Sequence, residues 1–367
     1  MRGGHKLFWL AVSFALAGFT SIAHGGEGYQ ETDLVSDIRG RAPVTDPNLV
    51  NPWGLAVAKP TFLWVADNAT GVSTLYDGSG HPADAFGQTP LVVIIPPAAG
   101  GTIAAPTGIV FDGTGEFPVS NSTASGSSFF IFATEDGTIS GWNPNVDVTH
   151  AILAVDNSAS GAVYKGLALA SNTTGNFLYA TNFHAGRVDV FDSNFAPASL
   201  AGNFSDPNLP AGFAPFGIQA IGSQLYVTYA KQDKDQKDDV KGPGLGYVDV
   251  FDTDGNLVRR FASQGTLNAP WGIALAPADF GELSNDVLVG NFGDGHISAF
   301  DPSSREFRGL LHETNGSAIK IKGLWGLAFG SGGPVGGSTN SLFFTAGIAD
   351  EHHGLFGTLT VADSGKK

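Results

Sequence analysis

Carboxylate and amide side chains recur directly after apolar, strand-like segments of the chain. These residues are Asp67, Asn68, Asn182, Asn291 and Asp294. Ca²⁺ prefers several oxygen ligands of this kind, so Asp67, Asn182, Asn291 and Asp294 are candidate metal ligands. A cation held there could polarise a carbonyl group and activate water. Asp and Asn are also the usual residues of tight turns, and this second role is the more common one.

A charged stretch from Lys231 to Gly244 interrupts the otherwise apolar, strand-rich pattern. Its aspartates, Asp233, Asp235, Asp238 and Asp239, are a second candidate set for Ca²⁺. Their spacing is not that of an EF-hand loop, and the terminal glutamate of such a loop is absent. Four lysines in the same stretch compete for the carboxylates, so we expect a mobile, solvated loop.

Lysine and histidine side chains provide the remaining candidates for proton chemistry. We expect Lys165 to face Glu135 or Asp136, in a structural ion pair rather than as a catalytic lysine. His184 and His296 occupy related turns and could bind a metal or transfer protons. The chain has no GxSxG motif and no cysteine, which removes two common kinds of nucleophile.

A short motif with Gly followed by Leu or Ile recurs six times; four copies have Pro two residues before the Gly, and four have an aromatic residue directly before it. Its glycines are Gly54, Gly108, Gly166, Gly217, Gly272 and Gly326, spaced by 54, 58, 51, 55 and 54 residues. A fixed period of this size is typical of repeat proteins. Each repeat continues with two further apolar strands, and most continue with a fourth. Six units of four strands predict an all-β fold, the six-bladed β-propeller.

The strand count also predicts how the ring closes. The sixth unit has no fourth strand, whereas residues 29–37 precede the first unit and belong to no repeat there. We therefore expect the N-terminal strand to complete the last blade, which removes the open edges of the ring. The fourth strand of the third unit is the least clear, near residues 199–204.

Strands alternate in direction within a blade, so the entry to each first strand and the turn after each second strand lie on one face. We expect a ligand at the axial mouth on this face, by analogy with other propellers. The candidate ligand-binding residues are Asn51, Trp53, Asp67, Asn68, Glu135, Asp136, Lys165, Asn182, His184, Tyr229, Trp271, Asn291, Asp294 and Trp325. The aromatic residues among them either plug the channel or form a rim that stacks a sugar or another planar ligand.

Composition and the N-terminus bear on location and partners. The chain carries 34 acidic and 19 basic residues, a net charge of −15, which argues against nucleic acid and anionic membranes as partners. Residues 1–25 have the pattern of a secretory signal peptide, with cleavage near residues 23–25. We expect residues 26–367 to form one propeller domain, a monomer without stable membrane insertion, in the periplasm or outside the cell.

Several stretches resemble NHL-type propellers. NPWGLA, FIFATEDGTISGWNP, GPGLGYVDVFD, NAPWGIALAP and VLVGNFGDG together resemble an uncharacterised family of secreted, mostly bacterial propeller proteins. Members of that family often end in a PEP-CTERM sorting tail, whereas residues 362–367 here are polar and show no such tail. The resemblance implies the propeller fold and export, and it carries no established reaction.

Three functional hypotheses follow from the sequence. The first is a secreted binding or interaction propeller whose ligand is a small molecule, a glycan or an extracellular protein. The second is a Ca²⁺-dependent hydrolase or lyase of the lactonase type that works in the channel. The third is a structural envelope protein. No cofactor is assigned, and Ca²⁺ is the one candidate.

Overall fold

A computed structural model describes Met1 and residues 28–59 and 61–362 of the chain. Six antiparallel β-sheets follow one another along the chain, and the innermost strands of neighbouring sheets contact each other around a closed ring. The predicted six-bladed β-propeller is confirmed. The blades are numbered here in the order of their innermost strands.

The four strand positions, from the innermost to the outer strand, are the same in nearly every blade. The innermost strands are Pro52–Ala56, Pro106–Phe111, Tyr164–Ser171, Phe213–Ile221, Pro270–Leu275 and Leu324–Phe329. The second strands are Leu63–Asp67, Phe130–Thr134, Asn176–Asn182, Gln224–Gln232, Val287–Asn291 and Leu342–Ile348. The third strands are Val72–Tyr76, Thr138–Trp142, Arg187–Phe191, Gly246–Asp252, Ile297–Phe300 and His353–Val361. The outer strands are Val92–Ile94, Ile152–Asp156, Leu257–Ser263, Phe307–Leu310 and Tyr29–Ser36.

Six short elements, four strands and two helical turns, are added to this frame. Val44–Thr45 pairs with the strand Tyr29–Ser36, and Pro118–Ser120 forms a hairpin with Ser125–Ser127. Asp239–Val240 pairs with the end of the second strand of blade four. The described helices are single 3₁₀ turns at Ser158–Ser160 and Gly281–Leu283. In the described part of the chain, no helix has the length and hydrophobicity of a membrane span.

The N-terminal strand closes the ring, as predicted. Tyr29–Ser36 runs antiparallel to His353–Val361, with Tyr29 opposite Val361 and Ser36 opposite Leu355. Val35, in the same strand, is completely buried between blades six and one. Blade six is thus assembled from both ends of the described chain. The predicted signal peptide, by contrast, lies almost entirely outside the described residues and stays a prediction.

Blade three has three strands among the described residues, and the prediction of a fourth strand near residues 199–204 is wrong. This segment bonds instead to the outer turn of blade four, where the Gly202 amide donates to the Asp254 carbonyl (2.8 Å) and the Phe204 amide donates to the Gly255 carbonyl (3.0 Å). An ion pair between Asp206 and an arginine of blade four then holds the segment in place. Contacts between distant parts of the chain therefore decide its course.

The innermost strands crowd together around the axis, as the repeated glycine predicts. A Cβ atom at Gly54 would collide with the Thr107 carbonyl oxygen, and one at Gly217 would collide with the Trp271 carbonyl oxygen. The core forms layers between neighbouring blades, such as the stack of Trp64 of blade one on Phe130 of blade two (4.0 Å between ring centroids). The ring thus fixes the direction of all six innermost strands, which start at one face and end at the other.

Candidate functional site

The axial mouth, where the innermost strands begin, is filled by aromatic rings. Trp53, Phe216, Trp271 and Trp325 converge there with two phenylalanines, and we refer to these six residues as the aromatic plug: Trp53, Phe183, Phe216, Trp271, Phe292 and Trp325. Trp53 stacks on Trp325 at 3.5 Å between ring centroids. Trp53, Trp271 and Trp325 are 2%, 9% and 1% exposed. Their rings close the channel, as in the packing interpretation, and present no open rim.

The three indole N–H groups of the aromatic plug differ in their partners. Trp325 Nε1 donates to Asn51 Oδ1 (3.1 Å), and Trp271 Nε1 donates to the Lys165 carbonyl (2.9 Å). Trp53 Nε1 is buried and has no acceptor within the described part of the chain. A buried donor without an acceptor is costly, which makes Trp53 the exception in this cluster.

Lys165 forms the expected ion pair with Glu135 directly above the aromatic plug. Asn68 Nδ2 donates to Glu135 Oε2 at 2.9 Å. Burial acts to raise the pKa of Glu135, but the charge of Lys165 and the hydrogen bonds outweigh it, so this pKa lies below its usual value. Burial acts to lower the pKa of Lys165, and the Glu135 charge leaves it above its usual value. Both groups therefore stay charged at neutral pH. Asp136 lies apart from this pair and accepts the Ala105 amide (2.9 Å).

The insertion of blade four, residues 231–244, lies over this ion pair, and we call it the strap. The solvation expected from the sequence holds at the tip, where residues 234–238 are exposed, and the segment as a whole forms a hairpin docked on the mouth. Lys231 and Gln232 pair with Val240 and Asp239. At the tip, Asp238 Oδ1 lies 3.4 Å from the Lys165 ammonium.

The far end of the strap reaches blade five. Lys241 Nζ lies 3.9 Å from the centroid of the Phe292 ring, within the range of a cation–π contact. The Gly242 amide donates to Asn268 Oδ1 (2.7 Å). The strap therefore spans the axial mouth from blade four to its neighbours on both sides.

Asn51 and Glu351 extend the polar network to blades one and six. Asn51 Nδ2 donates to Glu351 Oε2 (2.9 Å) and lies 3.3 Å from Asn68 Oδ1. Burial raises the pKa of Glu351, and burial raises the pKa of Asp239 in the strap to about 6. Perturbed ionisable groups concentrated in one place are typical of functional sites, although structural ion-pair networks produce them too.

The four candidate metal ligands outside the strap do not come together. Asp67 is buried within blade one, where Oδ2 accepts the amide and hydroxyl of Thr74 and burial keeps its pKa well above the usual value. Asn182 bonds Asp189 Oδ2 (2.8 Å) in blade three. Asn291 and Asp294 bond each other (3.2 Å) in blade five. Each therefore stabilises its own blade or turn.

Among the strap aspartates, Asp233 is engaged within the hairpin itself. Asp233 Oδ1 accepts the amides of Lys237 (2.9 Å) and Asp238 (3.3 Å) and so closes the hairpin tip. Within residues 28–59 and 61–362, no group of three or more His, Cys, Asp or Glu is arranged to hold a metal ion.

His184, Tyr229 and His296 belong to other surroundings. His184 is half-buried at the edge of blade three. His296 Nδ1 contacts the Ile319 carbonyl at 2.9 Å, between blades five and six. Tyr229 is buried between blades three and four, where burial raises its pKa well above the usual value. The structure gives these residues no common site.

The opposite end of the channel holds a cavity that the sequence did not indicate. All six innermost strands line it in or next to their second halves, with residues 55–57, 109–111, 167–169, 219–221, 273–275 and 327–329. This funnel has a volume of about 480 Å³. A smaller space of about 30 Å³ adjoins it at the ring of glycines, where Trp271 forms part of the wall. Gln219 carries the one polar side chain of the lining. In the sequence, the funnel is marked by an apolar residue near the end of every first strand, and such a residue cannot be distinguished from one in the hydrophobic core.

Two solved structures that share the overall shape of this chain are enzymes of different kinds. A streptogramin B lyase covers 91% of this chain and 97% of its own, with 12% identity and a TM-score of 0.52. A glucose dehydrogenase covers 91% of this chain and 100% of its own, with 10% identity and a TM-score of 0.54. Identity this low shows the shared fold alone.

Sequence relatives are closer. No family model matches the chain. The uncharacterized protein R648 of Acanthamoeba polyphaga mimivirus is 37% identical over 333 residues, which is 89% of this chain and 78% of the relative. Protein L690 of the same virus is 36% identical over 333 residues, 89% of this chain and 84% of the relative. These relatives are viral, so the expected bacterial, secreted origin gains no support from them. The chain belongs to the propeller family of the mimivirus proteins R648 and L690.

Proposed function

We propose that the protein is a binding propeller that holds a neutral, largely apolar small molecule in the funnel. The observation that carries this proposal is the cavity of about 480 Å³, enclosed by all six blades and open at the face opposite the aromatic plug. Pockets for small molecules typically measure about 300–1,000 Å³ and are lined mainly by apolar side chains. The sequence predicted a ligand at the axial mouth, whereas this proposal concerns the opposite end of the same channel.

The lining defines the chemistry of the ligand. None of the residues that line the funnel carries a charged side chain, so a charged ligand would lose its hydration without compensation. Each innermost strand bonds a neighbour within its blade on one side only, so its other edge, with N–H and C=O groups, faces the axis. A ligand with an apolar body and a few uncharged hydrogen-bonding groups fits both features. Export through residues 1–25 and a monomeric state are further parts of this proposal.

The test uses Nile red, a neutral and apolar dye whose emission reports transfer from water. Leu275 lines the funnel and is 44% exposed, so Leu275→Glu places a charge in the cavity with little effect on the core. Val258, 45% exposed on the outer strand of blade four, provides the matched control Val258→Glu. We expect saturable 1:1 binding by the wild-type protein and by Val258→Glu, and a loss of affinity of about tenfold or more in Leu275→Glu. Unsaturable binding, or equal affinity in both variants, would refute the proposal.

A further inference from the structure

The axial mouth contains an ion pair in which one partner is nearly inaccessible and the other is exposed. The Lys165 side chain is 3% exposed, whereas that of Asp238, its second counter-charge, is 67% exposed. Glu135, the first counter-charge, is 17% exposed. A buried lysine therefore takes one of its partners from the tip of a surface hairpin.

We propose that Lys165 forms a second binding site, for the carboxylate group of a small monoanionic ligand, and that Asp238 of the strap occupies the position of that carboxylate. This site lies at the end of the channel opposite the funnel and does not depend on the function proposed for the funnel. The strap is then a built-in competitor, which a ligand displaces.

The hydrogen-bond donors around Lys165 are incompletely used. An ammonium group has three N–H donors, and Glu135 takes one of them. Asp238 lies at 3.4 Å, whereas charge-assisted N–H···O bonds are about 2.7–2.9 Å long. Trp53, whose ring centroid lies 5.2 Å from Lys165 Nζ, contributes a buried N–H without an acceptor in the described part of the chain. A ligand carboxylate has two oxygen atoms, one for each of these donors.

Charge restricts the ligand to a single carboxylate. Exchange of Asp238 for a ligand carboxylate leaves the number of charges around Lys165 unchanged. A second negative group would face Glu135, Glu351 and Asp239, all of which act electrostatically on this lysine or its partners. Like charges at such distances repel, and the net charge of −15 adds a weaker repulsion at long range.

The strap can release its tip while it keeps its base. Residues 234–238 at the tip are exposed, and two residue pairs connect the tip to the body of blade four. The base is held separately, by the Lys241 contact with Phe292 and by the Gly242 amide. Gly244 follows with a φ of 75°, a conformation that favours glycine and allows the chain to turn there.

The experiment measures binding of acetate to the full-length protein by isothermal titration calorimetry, with neutral acetamide for comparison. We expect Asp238→Asn to bind acetate about tenfold more tightly than the wild-type protein. This is the gain expected if Asp238 occupies the site in about nine-tenths of the wild-type molecules and the substitution abolishes that competition. Asp235→Asn, at an exposed position of the same strap, is the matched control and should behave as the wild type. Leu275→Glu should leave acetate binding unchanged, which separates this site from the funnel.

Two variants test the donors themselves. Lys165→Met should abolish acetate binding, and since it leaves Glu135 buried without its partner, its fold must be verified by circular dichroism. Trp53→Phe removes an unpaired donor without leaving an acceptor unpaired, and it should weaken acetate binding several-fold in the Asp238→Asn background. Equal acetate affinity in Asp238→Asn and Asp235→Asn, equal binding of acetate and acetamide, or no acetate binding by Asp238→Asn would each overturn the proposal.

Discussion

The three tryptophans of the aromatic plug allow a comparison in which burial is nearly constant and hydrogen bonding is not. Trp53, Trp271 and Trp325 are 2%, 9% and 1% exposed, and each is changed to phenylalanine in turn. Every substitution removes a similar part of the indole and creates a similar small cavity. The difference between the variants therefore reports on the N–H group.

The expected magnitudes follow from the partners of the three N–H groups. Trp325→Phe leaves Asn51 Oδ1 without its indole donor, and Trp271→Phe does the same to the Lys165 carbonyl. A buried polar group that loses its partner costs about 1–3 kcal/mol. Trp53→Phe removes a donor that has no acceptor, so this cost does not arise. We expect Trp53→Phe to lower the free energy of unfolding by about 1–3 kcal/mol less than either of the other two.

The assay is urea unfolding followed by far-UV circular dichroism, which does not depend on the tryptophan fluorescence that the substitutions remove. Trp142→Phe in blade two is a control, since Trp142 Nε1 donates to the Val148 carbonyl (3.0 Å) outside the aromatic plug. It should resemble Trp325→Phe. If Trp53→Phe is as destabilising as Trp325→Phe, the Trp53 N–H has an acceptor in the folded protein and the reasoning fails.

Three further predictions concern ring closure, an arginine paired with two buried aspartates, and pH. Val35→Asp places a charge at a completely buried position of the closing strand and should lower the unfolding free energy by several kcal/mol, and an unchanged melting temperature would show that this strand does not hold the ring. Arg260→Ala leaves Asp206 and Asp249 buried and unpaired, which should cost about 3–5 kcal/mol in urea unfolding, and a cost below about 1 kcal/mol would contradict the ion pair seen here. Burial raises the pKa of Glu31 to about 7, so the folded state binds more protons than the unfolded state between about pH 4.5 and 7, and stability decreases as the pH rises through this range. Glu31→Gln should therefore raise the melting temperature at pH 8 more than at pH 5, and an equal effect at both values would refute the assignment.

The ring and its closure were predictable because they rest on local rules. Gly54 and Gly217 recur since their positions admit no side chain, and this steric demand is the same in every blade. The sequence has one extra strand before the first repeat, at residues 29–37, and lacks one strand in the last repeat. This count predicted the closure of the ring. The course of residues 199–204 could not be obtained in this way, because it depends on Asp206 and an arginine more than fifty residues away.

The candidate site was predictable in part. Lys165 was identified because it departs from an aromatic pattern, and its pairing with Glu135 followed from the shared face. The docking of Asp238 on that lysine was not foreseen, since a run of mixed charges is normally solvated and its local sequence does not encode a distant partner. The funnel was missed for the opposite reason: residues such as Leu275 look like core, and only the ring geometry exposes them to a cavity.

Closure by the first strand has a consequence for the biogenesis of the protein. Tyr29–Ser36 is synthesised before every other described strand, whereas its partner His353–Val361 is synthesised last among them. Blades one to five can assemble while the chain grows, but the sixth cannot, so the edge of Tyr29–Ser36 that pairs within blade six lacks its partner until translation is nearly complete. An exposed strand edge of this kind is a target for chaperones and a risk for aggregation. The same pairing distinguishes complete from truncated chains. A chain that ends before residue 353 lacks the strand with which Tyr29–Ser36 pairs, and it therefore cannot close the ring.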